Sequence, residues 1–328
     1  MWITFQNGRF GFDHGRTSIK KSAEEVEVLR KLRSFLDANE PSLVYLLTNT
    51  WRHQGKAITY KELREAILAG EISWELLDEW QQDYVRFVTR YLKPAWEEAI
   101  AAAALEIEAK YPEWRFDPYS DGVKEWVENR GAVFVTNSTQ AQIDGLQAVV
   151  QRAAALEDLN VDQLARSVRA MVGLTKQQSV ANLRYYNNLI ENGVSEKRAL
   201  DLSIRYSARQ HRYRGYNIAR TELAFAYNQG SYEGTKQAQA AGYMGQVVKV
   251  WSTADDERVC PICNSLDGKQ IAMDEDFYFE IKDRNGNTVR RRINPKLSYD
   301  SATGKVPPAH PSCRCAVEYR EIAPPTPL

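Results

Sequence analysis

The sequence has little from which to build a cross-linked or redox-active protein: its 328 residues include only four cysteines, four histidines and four methionines. That cysteine content is too low for a disulfide scaffold to organise a chain of this length. Charge of one sign is also missing, because 43 Lys and Arg balance 43 Asp and Glu. No global field draws the chain onto nucleic acid or an acidic membrane, so any such contact must be local. No apolar run approaches the roughly 20 residues that cross a bilayer. The opening stretch MWITFQNGRFGFDHGRTSIK lacks the apolar core, about 7–15 residues long, of a secretory signal. These absences point to a soluble protein of a reducing compartment, whose cysteines are more often thiols or metal ligands than cross-links. Absent too are HExxH, GxxxxGK[ST], GxSxG and the Rossmann glycine set, so no enzyme, membrane contact or small-molecule substrate is expected.

What the chain does have is helical signal. Ser22 followed by Glu25 forms a capping box ahead of Val26, Leu29, Leu32 and Leu36, which recur at helical spacing. Thr59 with Glu62 repeats the signature, and Gly70 is placed to end that helix in a left-handed conformation. Ser73 opens SWELLDEWQQDYVRFVTRYL, which Pro94 is expected to kink or end. After the break PEWRFDPYSDG, a second helical block is expected from about Thr139 to Ala241, with candidate caps at Thr175 and Ser195. Within it Ala226, Gly230, Gly234 and Ala238 form a smooth ridge at four-residue spacing, best read as facing the protein's own core.

Past Gly242 the character changes to strand. Val247–Thr253 is β-branched and aromatic, and Phe277–Ile293 has two arms around Asn285-Gly286, a strong hairpin signal. The expected fold is therefore mainly α, with helical N-terminal and central regions and a small C-terminal β-hairpin module that binds zinc. The division is an arm over 1–21, helical regions over 22–115 and 135–243, a β-rich module over 246–320 and a flexible tail over 321–328.

Two cysteine pairs bracket the hairpin. Cys260 and Cys263 have the spacing with which a tight turn aims two thiolates at one point, and Cys313 and Cys315 would share one face of an extended strand. With His310 as a fifth candidate, the possible sets are four cysteines, or three cysteines with His310. One structural zinc ion is the favoured reading, because soft thiolates bind it without electron chemistry. Two disulfides or plain reduced thiols are the alternatives. Gly268 is placed for a positive-φ turn after the first pair. Asp255, Asp256 and Glu257 read as a solvated turn, and His14, His53 and His211 as polar surface or packing residues.

WSTADDERVCPICNSLDGK followed by VPPAHPSCRC resembles the signature of the phage Mu F-like minor head proteins, also called phage head morphogenesis proteins. Upstream, VGLTKQQSVANLRYYNNLIENGVSEKRALDLSIRYSARQHRYRGYNIARTELAFAYNQG resembles the helical part of that family, including Ala219 to Glu222, and the likeness spans Val135 to Tyr319. The resemblance implies a virion component inside the head, assembled in the host cytoplasm with the portal protein and the major capsid or scaffolding protein. For some relatives it implies contact with the double-stranded genome or its ejection.

Arg205, Arg209, Arg212 and Arg214 lie among tyrosines, and Arg290 and Arg292 share a face of the second hairpin arm; both sets are candidates for DNA contact. The competing reading is a solvated helix face and a protected strand edge. Arg220 and Glu222, two apart on a helix, are expected to pair separately. The rival functions are a zinc-dependent nuclease or transferase, which an open coordination position with His310 as ligand and Cys315 released would favour and a saturated thiolate site would disfavour, and a DNA-binding module.

Overall fold

The computed structural model describes residues 21–154, 161–254, 256, 259–283, 285–293 and 304–325. The arm up to residue 20 with His14, the end of the tail, and Asp255 and Glu257 lie outside the described residues. Capping residues set the helix starts. Ser22 Oγ accepts from the Glu25 N–H while the Glu25 carboxylate accepts from the Ser22 N–H, opening α1 (Ala23–Ala57). The same reciprocal pair opens α2 (Tyr60–Ala69), and Gly70 closes it at φ 72°. Ser73 caps α3 (Trp74–Phe87), whereas Ser195, at the N-cap position of α8 (Glu196–Ala240), makes no side-chain capping bond.

Pro94 neither ends nor breaks its helix. A wide π turn over Val88–Leu92 links α3 to α4 (Lys93–Lys110), with the Lys93 N–H bonded to the Val88 carbonyl and Pro94 in the first turn of α4, where its missing N–H costs least. The next helix, α5 (Asp121–Ala154), starts well before the expected block, so position 135 falls inside a continuous helix. The strand-like run Val133-Phe134-Val135-Thr136 hides this start. Burial of Phe134 and Val135 in the core overrides its local preference. Two shorter helices, α6 (Val161–Arg169) and α7 (Lys176–Glu191), the latter opened by the Thr175–Gln178 capping box, precede α8.

The main core joins α1, α4, α5 and α8 around Leu47, Trp96, Ile100, Trp126 and Phe225. The small-residue ridge of α8 lies against α4, as expected. A Cβ on Gly230 would come 2.3 Å from the Ile100 carbonyl oxygen, and one on Gly234 would come 2.8 Å from Ile107 Cδ1. Glycine is therefore what lets the two backbones touch. A second core cluster around Trp80, Val149, Val168 and Leu183 holds α2, α3, α5, α6 and α7 together.

His211 on α8 stacks on Trp51 with ring centroids 5.5 Å apart, and its Nε2 lies 2.7 Å from the Val172 carbonyl. Burial pushes its pKa from 6.5 down to about 4, against the partial support of the Val172 bond. The unfolded chain thus binds a proton between those values that the folded one refuses, and stability falls as pH drops from 6.5 towards 4. Thermal melts across this range should show a loss of about 2–3 kcal/mol in wild type that His211→Phe lacks. Equal pH profiles for the two proteins would refute the assignment.

After α8 the chain forms a three-stranded antiparallel sheet in the order β2 (Gln270–Ala272), β1 (Gln246–Ser252), β5 (Ala316–Ala323). The separate hairpin β3 (Tyr278–Lys282) and β4 (Thr288–Arg292) turns at Gly286, with φ 82°. The β-hairpin alone is thus not the frame of the module, because β5 pairs with β1 along its whole length. The tail expected from 321 starts later as well: Glu321 opposes Val247, and Ala323 opposes Gln246. Trp251, Leu266, Phe277 and Ile293 form the apolar centre of this module. The module is fastened to the N-terminal region, since Lys21 Nζ is 2.6 Å from Asp267 Oδ1, which also accepts from the Thr253 N–H. Among the described residues no helix is long and apolar enough to cross a membrane.

Candidate metal centre

The first cysteine pair sits on the N-terminus of the short helix α9 (Pro261–Leu266). Cys260 is its N-cap, and its sulfur lies 3.4 Å from the Cys263 backbone nitrogen. Pro261 in the first turn fixes the backbone for that start. Gly268, at φ 72°, then turns the chain back, and its N–H donates to the Trp251 carbonyl. The second pair precedes and opens β5, reached through His310 and a positive φ of 60° at Ser312.

These two segments meet. His310 Nε2 lies 3.1 Å from both Cys260 Sγ and Cys263 Sγ, and Cys263 Sγ lies 3.7 Å from Cys313 Sγ. The donor atoms form two triads, Cys260–Cys263–His310 and Cys263–Cys313–Cys315, with Cys263 in both. All four cysteines are unbridged, and the 3.7 Å between the Cys263 and Cys313 sulfurs is well beyond a disulfide bond. All five predicted donors are brought together.

The residues fit a tetrahedral thiophilic ion. Metal–sulfur bonds of about 2.3 Å set a sulfur–sulfur edge of about 3.8 Å, close to the Cys263–Cys313 separation. His310 Nδ1 lies 2.9 Å from the Pro311 carbonyl, to which its N–H can donate, so that loss of the Nε2 proton on metal uptake would turn that nitrogen's lone pair toward the sulfurs. Electrostatics agree. Bonding from Cys263 and His310, against the cost of burial, brings the Cys260 thiol down to about 4, and the Cys260 partner raises His310 to about 9. Burial opposes ionisation of Cys313, but the Cys263 and Cys315 contacts and the His310 charge hold it well below the usual thiol range. Cys263 is pushed up by sharing protons with Cys260 and Cys313, and Cys315 by burial. The cluster therefore carries thiolates that a cation can neutralise, so uptake of a metal would release protons.

The sequence reading missed what holds the second pair in place. Each residue of Arg220-Thr221-Glu222 on α8 reaches a different element. Arg220 makes a bidentate pair with Glu40 of α1, both contacts 2.7 Å. Thr221 Oγ1 accepts from the Ser312 N–H at 2.8 Å, one residue before Cys313, and Glu222 pairs with Arg130 of α5. Ser312 Oγ lies 2.7 Å from Asn217 Oδ1, and Asn228 Nδ2 donates to the Cys315 carbonyl. The separate pairings of Arg220 and Glu222 match expectation; the link to the cysteines had no signal in spacing.

The arginines do not form one surface. Arg214 is buried, donates to the Gly173 carbonyl and lies over the Trp51 ring at 5.0 Å, which takes it out of the exposed row. Arg205 pairs with Asp201, Arg209 lies over Tyr206, and Arg212 is exposed. On the hairpin, Arg290 covers the Tyr278 ring at 4.1 Å and Arg292 lies 3.4 Å from Asp276. His53 is exposed on α1.

Fold and cluster together define a mainly helical protein whose C-terminal sheet module is gathered around a cysteine and histidine centre suited to a metal ion. Residues 159–318 match the family described as Phage Mu protein F like protein. The match runs from two residues before α6 into β5 and takes in α8 with both cysteine pairs, beginning later than the resemblance read from 135. No curated protein and no solved structure matches.

Proposed function

We propose that the protein is a structural, non-enzymatic minor head component that joins the portal and the capsid interior during head assembly, with one zinc ion held by Cys260, Cys263, Cys313 and His310. The carrying observation is the attachment of the cluster to α8 through Thr221 and Ser312, within the segment that matches the family. A cluster tied this way serves as a rivet between a sheet module and a helical body. Three sulfurs and an imidazole fill a tetrahedron and leave no position for substrate, which weighs against a zinc-dependent nuclease or transferase. Cys315, whose backbone carbonyl is held by Asn228, is a packed thiol in this reading.

Duplex DNA contact adds little to this reading, because Arg214 is buried and Arg205, Arg290 and Arg292 each already have a partner. The test is co-expression with the portal protein encoded in the same phage genome, followed by size-exclusion chromatography. Co-elution of the two proteins is expected, and separate elution would defeat the assembly role even if zinc were found in the purified chain.

A further inference from the structure

A groove of about 720 Å³ runs between α1, the end of α6 and the N-terminal half of α8. Its lining along α1 extends from Pro41 to Lys56, a helical length of about 22 Å. The floor is apolar: Val44, Trp51 and Val172 are buried beneath it. Tyr45 at 65 %, Ile204 at 43 % and Tyr216 at 41 % exposure stand open to solvent along it. Large apolar side chains gathered in one concavity mark an interaction site rather than scattered surface.

Its rim has one sign of charge. Arg52, Lys56, Arg166 and Arg212 line it, and among the described residues no aspartate or glutamate does. In a chain with equal numbers of acidic and basic residues, this segregation is local. Arg169, also in the lining, is otherwise engaged, donating to the Gly55 and Lys56 carbonyls at the end of α1, so it fixes one wall in place.

We propose that this groove is a docking site for an acidic amphipathic helix of a partner protein. A helix laid along α1 would place its apolar stripe on Tyr45, Ile204 and Tyr216 and its carboxylates against the rim cations, the helix-in-groove mode of recognition. A nucleic acid strand would meet the cations and stack on the tyrosines but leave Val44, Val172 and Ile204 uncovered, so these aliphatic side chains favour the peptide. The site shares no residue with the cysteine cluster and stands whether or not that cluster holds a metal.

The test uses the full chain and a fluorescein-labelled peptide of about 18 residues with leucine and glutamate at amphipathic helical spacing. Controls are the scrambled peptide, the lysine-for-glutamate peptide, and single-stranded and duplex DNA. In fluorescence anisotropy the ordered acidic peptide should bind at least about tenfold more tightly than either control peptide. Ile204→Asp and Arg212→Glu, both at exposed positions, should each weaken it about tenfold or more while circular dichroism stays unchanged. Equal affinity for the scrambled peptide, or tighter binding of DNA, would overturn the proposal. So would self-association of the free chain that Ile204→Asp abolishes, since the groove would then belong to a second copy.

Discussion

Replacing Cys263 with serine is expected to strip the protein of zinc and to open the C-terminal module, while Cys315→Ser leaves the metal in place. The asymmetry follows from position. Cys263 is the donor common to both triads, 3.1 Å from His310 Nε2 and 3.7 Å from Cys313 Sγ, so its loss leaves no three-donor set intact. Loss of Cys315 leaves Cys260, Cys263 and His310 together, with Cys313 beside them. His310→Ala should be intermediate, lowering zinc affinity by about 100-fold or more, because both sulfurs of the first pair lose the imidazole between them.

The energetic scale makes this effect large. Structural zinc contributes about 10–16 kcal/mol in small peptides that fold only around the metal. The module here has an apolar centre of its own in Trp251, Leu266, Phe277 and Ile293, so part of its fold survives without the ion. Against a typical total stability of about 5–15 kcal/mol, even half of the peptide figure decides whether the module stays closed. Zinc content by mass spectrometry, with limited proteolysis between β1 and β5, reads both effects. If Cys315→Ser lost its zinc as completely as Cys263→Ser while His310→Ala kept it, the four-thiolate set would hold the ion and the assignment would fail.

Which parts of this were legible in the sequence follows from the range of the forces involved. Ser22, Thr59 and Thr175 announced their helices because capping is a local contest among three or four residues. The meeting of Cys260 and Cys263 with His310 and Cys313 could be read across some fifty positions, because a closed metal site is one of the few long-range constraints that leave a spacing signature. The start of α5 was not legible, since Val133 to Thr136 favour strand locally and are helical only through the packing of Phe134 and Val135 against distant partners. Lys249 is the sharper case. It sits between valines in β1, fully buried, and its Nζ donates to the Glu275 and Lys305 carbonyls at 2.6 and 3.0 Å. Burial, with Lys305 near by, lowers its pKa to about 8. Nothing in a strand pattern distinguishes that lysine from one facing solvent. Arg214 failed for the same reason, since its basic character was visible and its burial beside Trp51 was not.

Glu222→Gln should cost about 3–5 kcal/mol of stability without lowering zinc content. Glu222 and Arg130 pair through two contacts, one at 2.7 Å, with side chains only 6 % and 3 % exposed, and the guanidinium also lies 5.0 Å over the Phe225 ring. Removing the carboxylate charge leaves a cation that water cannot reach, and that desolvation is most of the loss. The double replacement Arg130→Met with Glu222→Leu removes both charges and should cost less than Glu222→Gln alone, because no ion is then left buried without its counter-ion beside Phe225. Arg220→Met should also destabilise, since it leaves Glu40, whose side chain is only 4 % exposed, without its bidentate partner. Urea denaturation of the full chain, scored with zinc content, separates these cases. Glu222 binds α8 to α5, outside the segment that carries the family match, whereas its neighbour Thr221 binds α8 to the cysteine strand. If Glu222→Gln left the denaturation midpoint unchanged, or released the metal along with the helix, the two faces of this one turn of α8 would not divide the work as their contacts indicate.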